Sequence, residues 1–271
     1  MLRFSHEAMA TVFEVLCVHE DARYAGQAAR AVFERVDRLE QALSRFVPNS
    51  DVSRAAALGP GEATRLGPAA LECLGIARNL FFLTSGAFDV SLGTGLDGLE
   101  LDPEAFTVRS ARGGVRLDLG GIGKGYAVDR AAELLEEWDV RCALVHGGFS
   151  SVVALEGPGE APGWPLTLRD PRGGGLLARV AARQLALSAS GTRKGDHVLD
   201  PRTGRPVEDR SAWVVVPRSP EAAGKAATVA DALTTAFLLL PREAVERLVG
   251  SVPGMEAWLL PGPVHLAPPG S

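Results

Sequence analysis

The sequence is poor in cysteine, in long apolar runs and in clustered basic residues, and each shortage excludes a class of protein. Its three cysteines, Cys17, Cys73 and Cys142, are widely spaced and match neither a disulfide framework nor a zinc-binding pattern. No apolar run approaches the roughly 20 residues that a membrane-spanning helix needs. The net charge is -5 and no basic stripe is visible. We therefore expect reduced thiols, no membrane span and no nucleic-acid partner.

The start of the sequence carries no recognisable export signal. Met1 to Glu7 contain neither an apolar segment nor a lipobox-like cysteine. We therefore expect a cytoplasmic protein, although a leader removed ahead of residue 1 would leave the same sequence.

The patterns of apolar residues predict an α+β fold in a single domain over residues 1–271. Apolar residues make up 46% of the chain, and neither an internal repeat nor a long linker divides it. Strand-like and helix-like segments fall in unequal blocks, which favours largely antiparallel sheets flanked by helices. The predicted helices cover about 22–46, 68–84, 124–137 and 242–249, with a further helix around Asp231. The predicted strands cover about 11–18, 106–108, 115–119, 142–146, 152–155, 166–169, 176–181, 185–188, 213–216 and 257–260.

Asp231 and Thr235 form the clearest candidate ligand pair in the sequence. They are four residues apart in an apolar helical run and share one face of the predicted helix. A carboxylate and a hydroxyl are hard oxygen donors of the kind that Mg²⁺ prefers. The spacing therefore predicts a magnesium site on this helix face, with Mn²⁺ as an alternative that ligand type does not exclude.

A glycine-rich turn with one lysine is the candidate anion-binding segment. Residues 117–130 read as strand, tight turn and helix, with four glycines around Lys124. Exposed N–H groups, a helix N-terminus and the lysine together suit a pyrophosphate. Asp118 and Gly125 depart from the phosphate-loop motif, so a plain strand-to-helix turn remains the alternative. A second glycine pattern at 93–98 precedes no helix, and we interpret it as a loop.

His197 is the candidate proton-transfer group. It begins a short extended segment that ends in a turn at residues 200–204. A histidine titrates near neutral pH, so it can take a proton from an incoming hydroxyl or give one to a leaving phosphate. A surface histidine in a loop is the alternative for this residue and for the other four histidines.

These motifs together resemble those of the ApbE family of flavin transferases (FAD:protein FMN transferases). The Lys-Gly-Tyr-Ala-Val-Asp segment at Lys124 and the His-x-x-Asp-Pro-x-Thr-Gly segment at His197 are specific to that family. The matching segments keep the family's order over nearly the whole chain: 9–11, 43–46 with Ser50, 86–90, 118–129, 147–148, 190–191, 197–206 and 230–236.

The resemblance implies a T-fold-like α+β fold with two lobes around a central cleft. It also implies a Mg²⁺-dependent reaction that splits FAD at its pyrophosphate, attaches FMN to a threonine hydroxyl of an acceptor flavoprotein and releases AMP. By the same resemblance, His197 is the catalytic base, and the metal ligands are Asp231, Thr235 and the backbone carbonyl of Gly121, with Thr234 adjacent. The implied FAD contacts are Met9, Phe46, Ala87, Phe88, Asp89, Asp118, Lys124 and Leu199.

Five features depart from the family's pattern, and none involves a predicted metal ligand. Ala10 replaces a glycine, Phe46 stands where tyrosine is frequent, Ala56 replaces an asparagine, Phe149 replaces a small polar residue, and the segment before His197 is short. These changes concern the flavin pocket and acceptor recognition. Two other functions therefore remain: an FAD pyrophosphatase that uses water in place of the threonine, and a non-catalytic FAD-binding protein.

We expect His197→Ala to lower the rate of FMN transfer by ~10²–10⁴-fold, because that is the usual contribution of a general base. The measurement follows AMP release and covalent FMN on an acceptor domain that bears a threonine, with His19→Ala as the control. A wild-type rate in His197→Ala would contradict the assignment. AMP formed at the full rate without acceptor would favour the pyrophosphatase, and an absence of AMP under every condition would favour the binding protein.

Overall fold

The computed structural model of the chain describes residues 1–192, 198–219, 224–262 and 264–268. Within these ranges the helices are α1 (Ala22–Leu43), α2 (Asp51–Ala56), α3 (Pro68–Leu83), α4 (Gly123–Glu137), α5 (Ala226–Phe237) and α6 (Arg242–Ser251). The strands are β1 (Leu2–Ala8), β2 (Thr11–Cys17), β3 (Ala63–Arg65), β4 (Leu99–Asp102), β5 (Thr107–Ser110), β6 (Ala143–Gly147), β7 (Ser151–Ala154), β8 (Trp164–Arg169), β9 (Leu176–Ala182), β10 (Leu185–Gly191), β11 (Ser211–Pro217), β12 (Glu256–Leu260) and β13 (Val264–Leu266).

A large antiparallel sheet organises the described part of the chain. Its strand order is β1-β2-β6-β7-β10-β11-β12-β13, and every neighbouring pair is antiparallel. A three-stranded sheet (β3-β5-β4) and the β8–β9 hairpin are separate from it. The prediction of an α+β fold with largely antiparallel sheets flanked by helices is therefore confirmed.

The central strands of the large sheet are buried on both faces. Because side chains alternate along each strand, the two faces pack against different layers. Along β10, Ala186 belongs to the main core beneath the helices, whereas Leu187 belongs to a smaller core that includes residues of the β8–β9 hairpin. Helix α5 packs against β10 and β11, and helix α4 packs against β6 and β7. Because successive strand residues point to opposite faces, Ser188 and Ser190 share the helical side with Ala186.

Helices α4 and α5 approach each other closely because a glycine lies at their contact. A Cβ on Gly125 would lie 2.7 Å from the Cβ of Asp231 and would overlap the carbonyl oxygen of Ala227. Asp129 then caps the start of α5 from α4: its carboxylate accepts hydrogen bonds from the Ala227 amide (3.0 Å), the Thr228 amide (2.7 Å) and the Thr228 hydroxyl (2.6 Å). This supplies the N-terminal cap that the side chain of Lys225 does not provide.

Several predicted boundaries were wrong, and the errors have physical causes. Residues 115–119 do not form a strand; three of their side chains are buried, but their backbone runs alongside Val90, whose carbonyl accepts the Asp118 amide (2.8 Å). Helix α1 ends at Leu43 rather than at residue 46, because Ser44 turns to an extended conformation. Strands β1, β3, β4 and β13 and helix α2 were not predicted; they are short or only half-buried, so their apolar pattern is weak.

Among the described residues, none of the helices combines the length and the apolar character that a membrane crossing needs. The three cysteines are free thiols; Cys17 and Cys73 are buried and Cys142 is half-buried.

We expect Gly125→Ala to lower the free energy of unfolding by ~1–3 kcal/mol, because the added methyl group must push α4 away from α5. The matched control is Gly75→Ala in α3, where nothing lies within 4 Å of the added carbon, so that replacement should stabilise by ~0.5–1 kcal/mol. Urea denaturation measures both changes. Equal stability of the two variants would contradict the described helix contact.

Candidate active site

Asp231 lies where the first turn of α4 meets the middle of α5. Its side chain is buried, and its Oδ2 accepts a hydrogen bond from the Gly125 amide at 2.9 Å. Burial raises the pKa of the Asp231 carboxyl, whereas the Lys124 charge and the Gly125 amide oppose that rise. A buried carboxylate is unfavourable unless a cation or several donors offset its lost hydration, so this position is suited to cation binding.

Gly121, in the turn before α4, lies against Thr235 of α5, one helical turn from Asp231. A Cβ on Gly121 would lie 3.3 Å from the Thr235 hydroxyl oxygen and 3.4 Å from the ring of Phe88. Thr235 is one turn after Asp231 on α5, and its side chain is half-buried. A carboxylate, a hydroxyl and a backbone carbonyl are the hard oxygen donors that Mg²⁺ prefers, so the predicted ligands fit that ion chemically.

Thr234 is already engaged in hydrogen bonds within the protein. Its hydroxyl donates to the carbonyl of Asp231 (2.6 Å) and lies 2.8 Å from the Ser190 hydroxyl on β10. The side chain is fully buried. Thr234 therefore ties α5 to the sheet. Its position next to the metal, which the family resemblance implies, stays a prediction.

Asp118, Arg45 and Phe46 form a cluster at the glycine turn. The Arg45 Nε lies 2.9 Å from Asp118 Oδ2, and the Gly120 amide donates to Asp118 Oδ1 (2.9 Å). The Arg45 guanidinium covers the Phe46 ring at 4.3 Å, while 78% of Phe46 stays exposed. Lys124 donates through Nζ to the Gly120 carbonyl (3.2 Å), so its charge lies over the same turn. Arg45 thus contacts both Asp118 and Phe46, which are two of the predicted FAD-binding residues. The sequence had not indicated a role for Arg45.

The loop 84–98 holds Ala87, Phe88 and Asp89. Ala87 and Phe88 are buried, so they shape the loop from within. Asp89 accepts hydrogen bonds from the Ser91 amide (2.7 Å), the Ser91 hydroxyl (2.6 Å) and the Gly93 amide (2.9 Å). The loop contains a single 3₁₀ turn, Leu96–Gly98, and continues into β4, as expected for a glycine pattern that is not a dinucleotide fingerprint.

Leu199 lies next to this loop in a short extended segment. It pairs with Pro206 across a turn, and 52% of its side chain is exposed. A Cβ on Gly93 would lie 2.5 Å from the carbonyl oxygen of Pro201, so the turn after Leu199 contacts the loop 84–98 directly. His197 lies outside the described residues, and its role as the base stays a prediction.

Met9 lies in the β1–β2 turn. Both Met9 and Ala10 have positive φ (50° and 56°), a conformation that glycine adopts more readily. The neighbouring β6–β7 turn carries Phe149, which is 98% exposed and stacks on His146 with ring centroids 5.7 Å apart. The departures from the family's pattern at Ala10 and Phe149 thus lie on two turns at the same end of the sheet.

The described residues contain no cluster of three or more histidine, cysteine, aspartate or glutamate side chains that could hold a metal. A cavity of about 680 Å³ lies away from Asp231, against β9, β12 and β13, and is lined by Arg179, Trp258 and His265 among other residues. The candidate site is therefore defined by converging backbone turns rather than by that cavity.

Comparison of the sequence with known proteins gives consistent matches. The ApbE family model matches residues 9–97 and 92–259. The FAD:protein FMN transferase of Treponema pallidum is 30% identical over 289 residues, covering 86% of this chain and 76% of that protein. The FAD:protein FMN transferase of Salmonella typhimurium is 25% identical, covering 80% of this chain and 75% of that protein.

Comparison of the fold with solved structures extends over nearly the whole chain. The flavin transferase ApbE from Vibrio cholerae superposes with a TM-score of 0.84 at 18% identity, covering 99% of this chain and 97% of that one. The apo form of the Pseudomonas stutzeri flavinyl transferase ApbE gives a TM-score of 0.82 at 23% identity, covering 99% and 94%. At these identities the superpositions show a shared fold.

We expect Thr235→Val and Thr234→Val to separate metal binding from stability. Thr235→Val should weaken Mg²⁺ binding by at least ~10-fold, because it removes an oxygen donor. Thr234→Val should lower the free energy of unfolding by ~1–3 kcal/mol, because it removes the hydrogen bonds that the Thr234 hydroxyl makes with the Ser190 hydroxyl and the Asp231 carbonyl. Calorimetric Mg²⁺ titration and urea denaturation measure the two effects. If Thr234→Val weakened Mg²⁺ binding and Thr235→Val lowered the stability instead, the described orientations of the two threonine side chains would be refuted.

Proposed function

The chain belongs to the ApbE family and has the activity of an FAD:protein FMN transferase, and from that premise we propose that the region around Asp231 is its active site. The observation that carries this proposal is the convergence of a buried carboxylate, the Gly121 backbone and the Thr235 hydroxyl beside the Lys124 turn. Oxygen donors and a lysine at a helix N-terminus suit a diphosphate together with its counter-ion.

We propose that Asp231, Thr235 and the Gly121 carbonyl hold Mg²⁺, with Thr234 adjacent. When bound, the ion would neutralise charge on the diphosphate oxygens of FAD. Lys124 and the amides of the glycine turn bind the same anion from the other side. Met9, Phe46, Asp118 and Leu199 contact FAD, while Ala87, Phe88 and Asp89 shape the loop beside it.

The transfer step needs one proton acceptor and one leaving group. The hydroxyl oxygen of an acceptor threonine attacks the phosphorus on the FMN side of the diphosphate, and the bond from that phosphorus to the bridging oxygen breaks. AMP leaves with the bridging oxygen, and His197 takes the threonine proton. The binding of the acceptor threonine close to the phosphorus excludes the water that would otherwise release free FMN.

We propose further that the fold is T-fold-like, with two lobes around a central cleft, in one ApbE-like domain over residues 1–271. The large antiparallel sheet with α4 and α5 on one face, together with the small β3-β5-β4 sheet, supports this division. A cytoplasmic location stays a prediction.

We expect Asp231→Asn to reduce FMN transfer by more than ~10²-fold, because it removes the charged ligand while the amide oxygen can still accept the Gly125 hydrogen bond. Covalent FMN on an acceptor domain and AMP release are measured over a Mg²⁺ titration. Asp139→Asn, which changes an exposed carboxylate, is the matched control. Full activity of Asp231→Asn, or of the wild type in excess chelator, would refute the proposed site.

A further inference from the structure

Two buried hydroxyls beneath the active site have no hydrogen-bond partner among the described residues. They belong to Ser151 at the start of β7 and Ser188 in β10. Both residues are almost completely buried, with exposed fractions of 1% and 0%. A buried hydroxyl without a partner is unfavourable, so such a pair indicates either a bound water or a function that the resting structure does not satisfy.

The two serines face the same side of the sheet as α5. Ser151 and Ser188 are directly opposite each other in the antiparallel β7–β10 pair, so their side chains share one face. Ser190, two residues along β10, is on that face as well, because its hydroxyl bonds Thr234 of α5. Ser151 and Ser188 therefore lie beneath the same helix that carries Asp231.

Helix α5, which carries Asp231, packs on strand β7, which begins at Ser151. The Ser151 hydroxyl lowers the pKa of the Asp231 carboxyl, against the rise that burial causes. In the described structure the Gly125 amide is the donor that holds Oδ2 of this carboxylate. A single donor leaves a carboxylate free to rotate about its terminal bond, whereas two donors from different elements fix its plane.

We propose that Ser151 is a positioning residue for Asp231, whose carboxylate its hydroxyl orients for cation binding, and that Ser188 supports Ser151 from the neighbouring strand. This inference rests on the proposed metal site. In the described structure the Gly125 amide holds the carboxylate from α4, and neither serine hydroxyl makes a hydrogen bond. With a cation bound, the Ser151 hydroxyl would hold the carboxylate from the sheet, and the Ser188 hydroxyl would donate to the Ser151 oxygen. The carboxylate is thereby presented towards Gly121 and Thr235 instead of being free to turn in its buried position.

The effect of Ser151→Ala on the stability of the metal-free protein distinguishes a positioning role of Ser151 from a purely structural one. Because Ser151 makes no satisfied hydrogen bond in the described structure, Ser151→Ala should leave the metal-free protein as stable as the wild type or more stable. A serine that only supports the fold, or that only holds a buried water, would instead destabilise the metal-free protein when replaced and leave cation affinity unchanged.

The test measures Mn²⁺ binding to the full chain from the electron paramagnetic resonance signal of free Mn²⁺, with the melting temperature of the metal-free protein measured in parallel. Ser151→Ala should weaken Mn²⁺ binding by ~10–100-fold, the usual effect of removing a group that orients a metal ligand. Ser188→Ala should give a smaller loss in the same direction, and Ser150→Ala, on the same turn, should give none.

Unchanged Mn²⁺ affinity in Ser151→Ala would overturn the proposal, as would a loss of thermal stability without a change in affinity. Asp231→Asn in the same titration distinguishes this failure from failure of the proposed function. If Asp231→Asn binds Mn²⁺ as tightly as the wild type, the metal site itself is wrong. If Asp231→Asn loses Mn²⁺ and Ser151→Ala keeps it, only the positioning role of Ser151 is refuted.

Discussion

The hydrogen bond from the Gly125 amide to Asp231 Oδ2 is the interaction on which the rest of the site depends. It exists because residue 125 has no side chain, which lets α4 and α5 approach until a backbone amide reaches a carboxylate on the other helix. The same approach brings Gly121 against Thr235. One glycine thus fixes both the packing of two central helices and the distance between the proposed metal ligands.

Asp129 of α4 and Asp231 of α5 are both buried carboxylates, but they differ in their hydrogen-bond partners and therefore in the roles to which they are suited. Asp129 accepts hydrogen bonds from two amides and one hydroxyl at the start of α5, so its charge is offset inside the protein. Asp231 accepts the Gly125 amide and has an unsatisfied hydroxyl, Ser151, nearby. Burial raises the pKa of both carboxyls. Asp129 is suited to stabilise the fold, and Asp231 to bind a cation.

The parts of the site that lie within one segment were predictable from the sequence, and the parts that join segments were not. The four-residue spacing of Asp231 and Thr235 is a property of one helix, and the glycine turn before α4 was recognised from its own residues. Residues 115–119 were mistaken for a strand because apolar alternation reports burial and not hydrogen-bond pairing. The contacts of Arg45 with Asp118 and of Ser190 with Thr234 join distant segments, and no periodicity or local spacing encodes them.

The central claim is that distant segments converge on one cation beside the diphosphate of FAD. The most direct test is the anomalous diffraction of Mn²⁺ in crystals of the protein grown with FAD. The account predicts one peak in contact with the Asp231 carboxylate, the Thr235 hydroxyl and the Gly121 carbonyl, with the FAD diphosphate and the His197 imidazole beside it. A peak away from Asp231, or an FAD diphosphate bound elsewhere on the chain, would contradict the account.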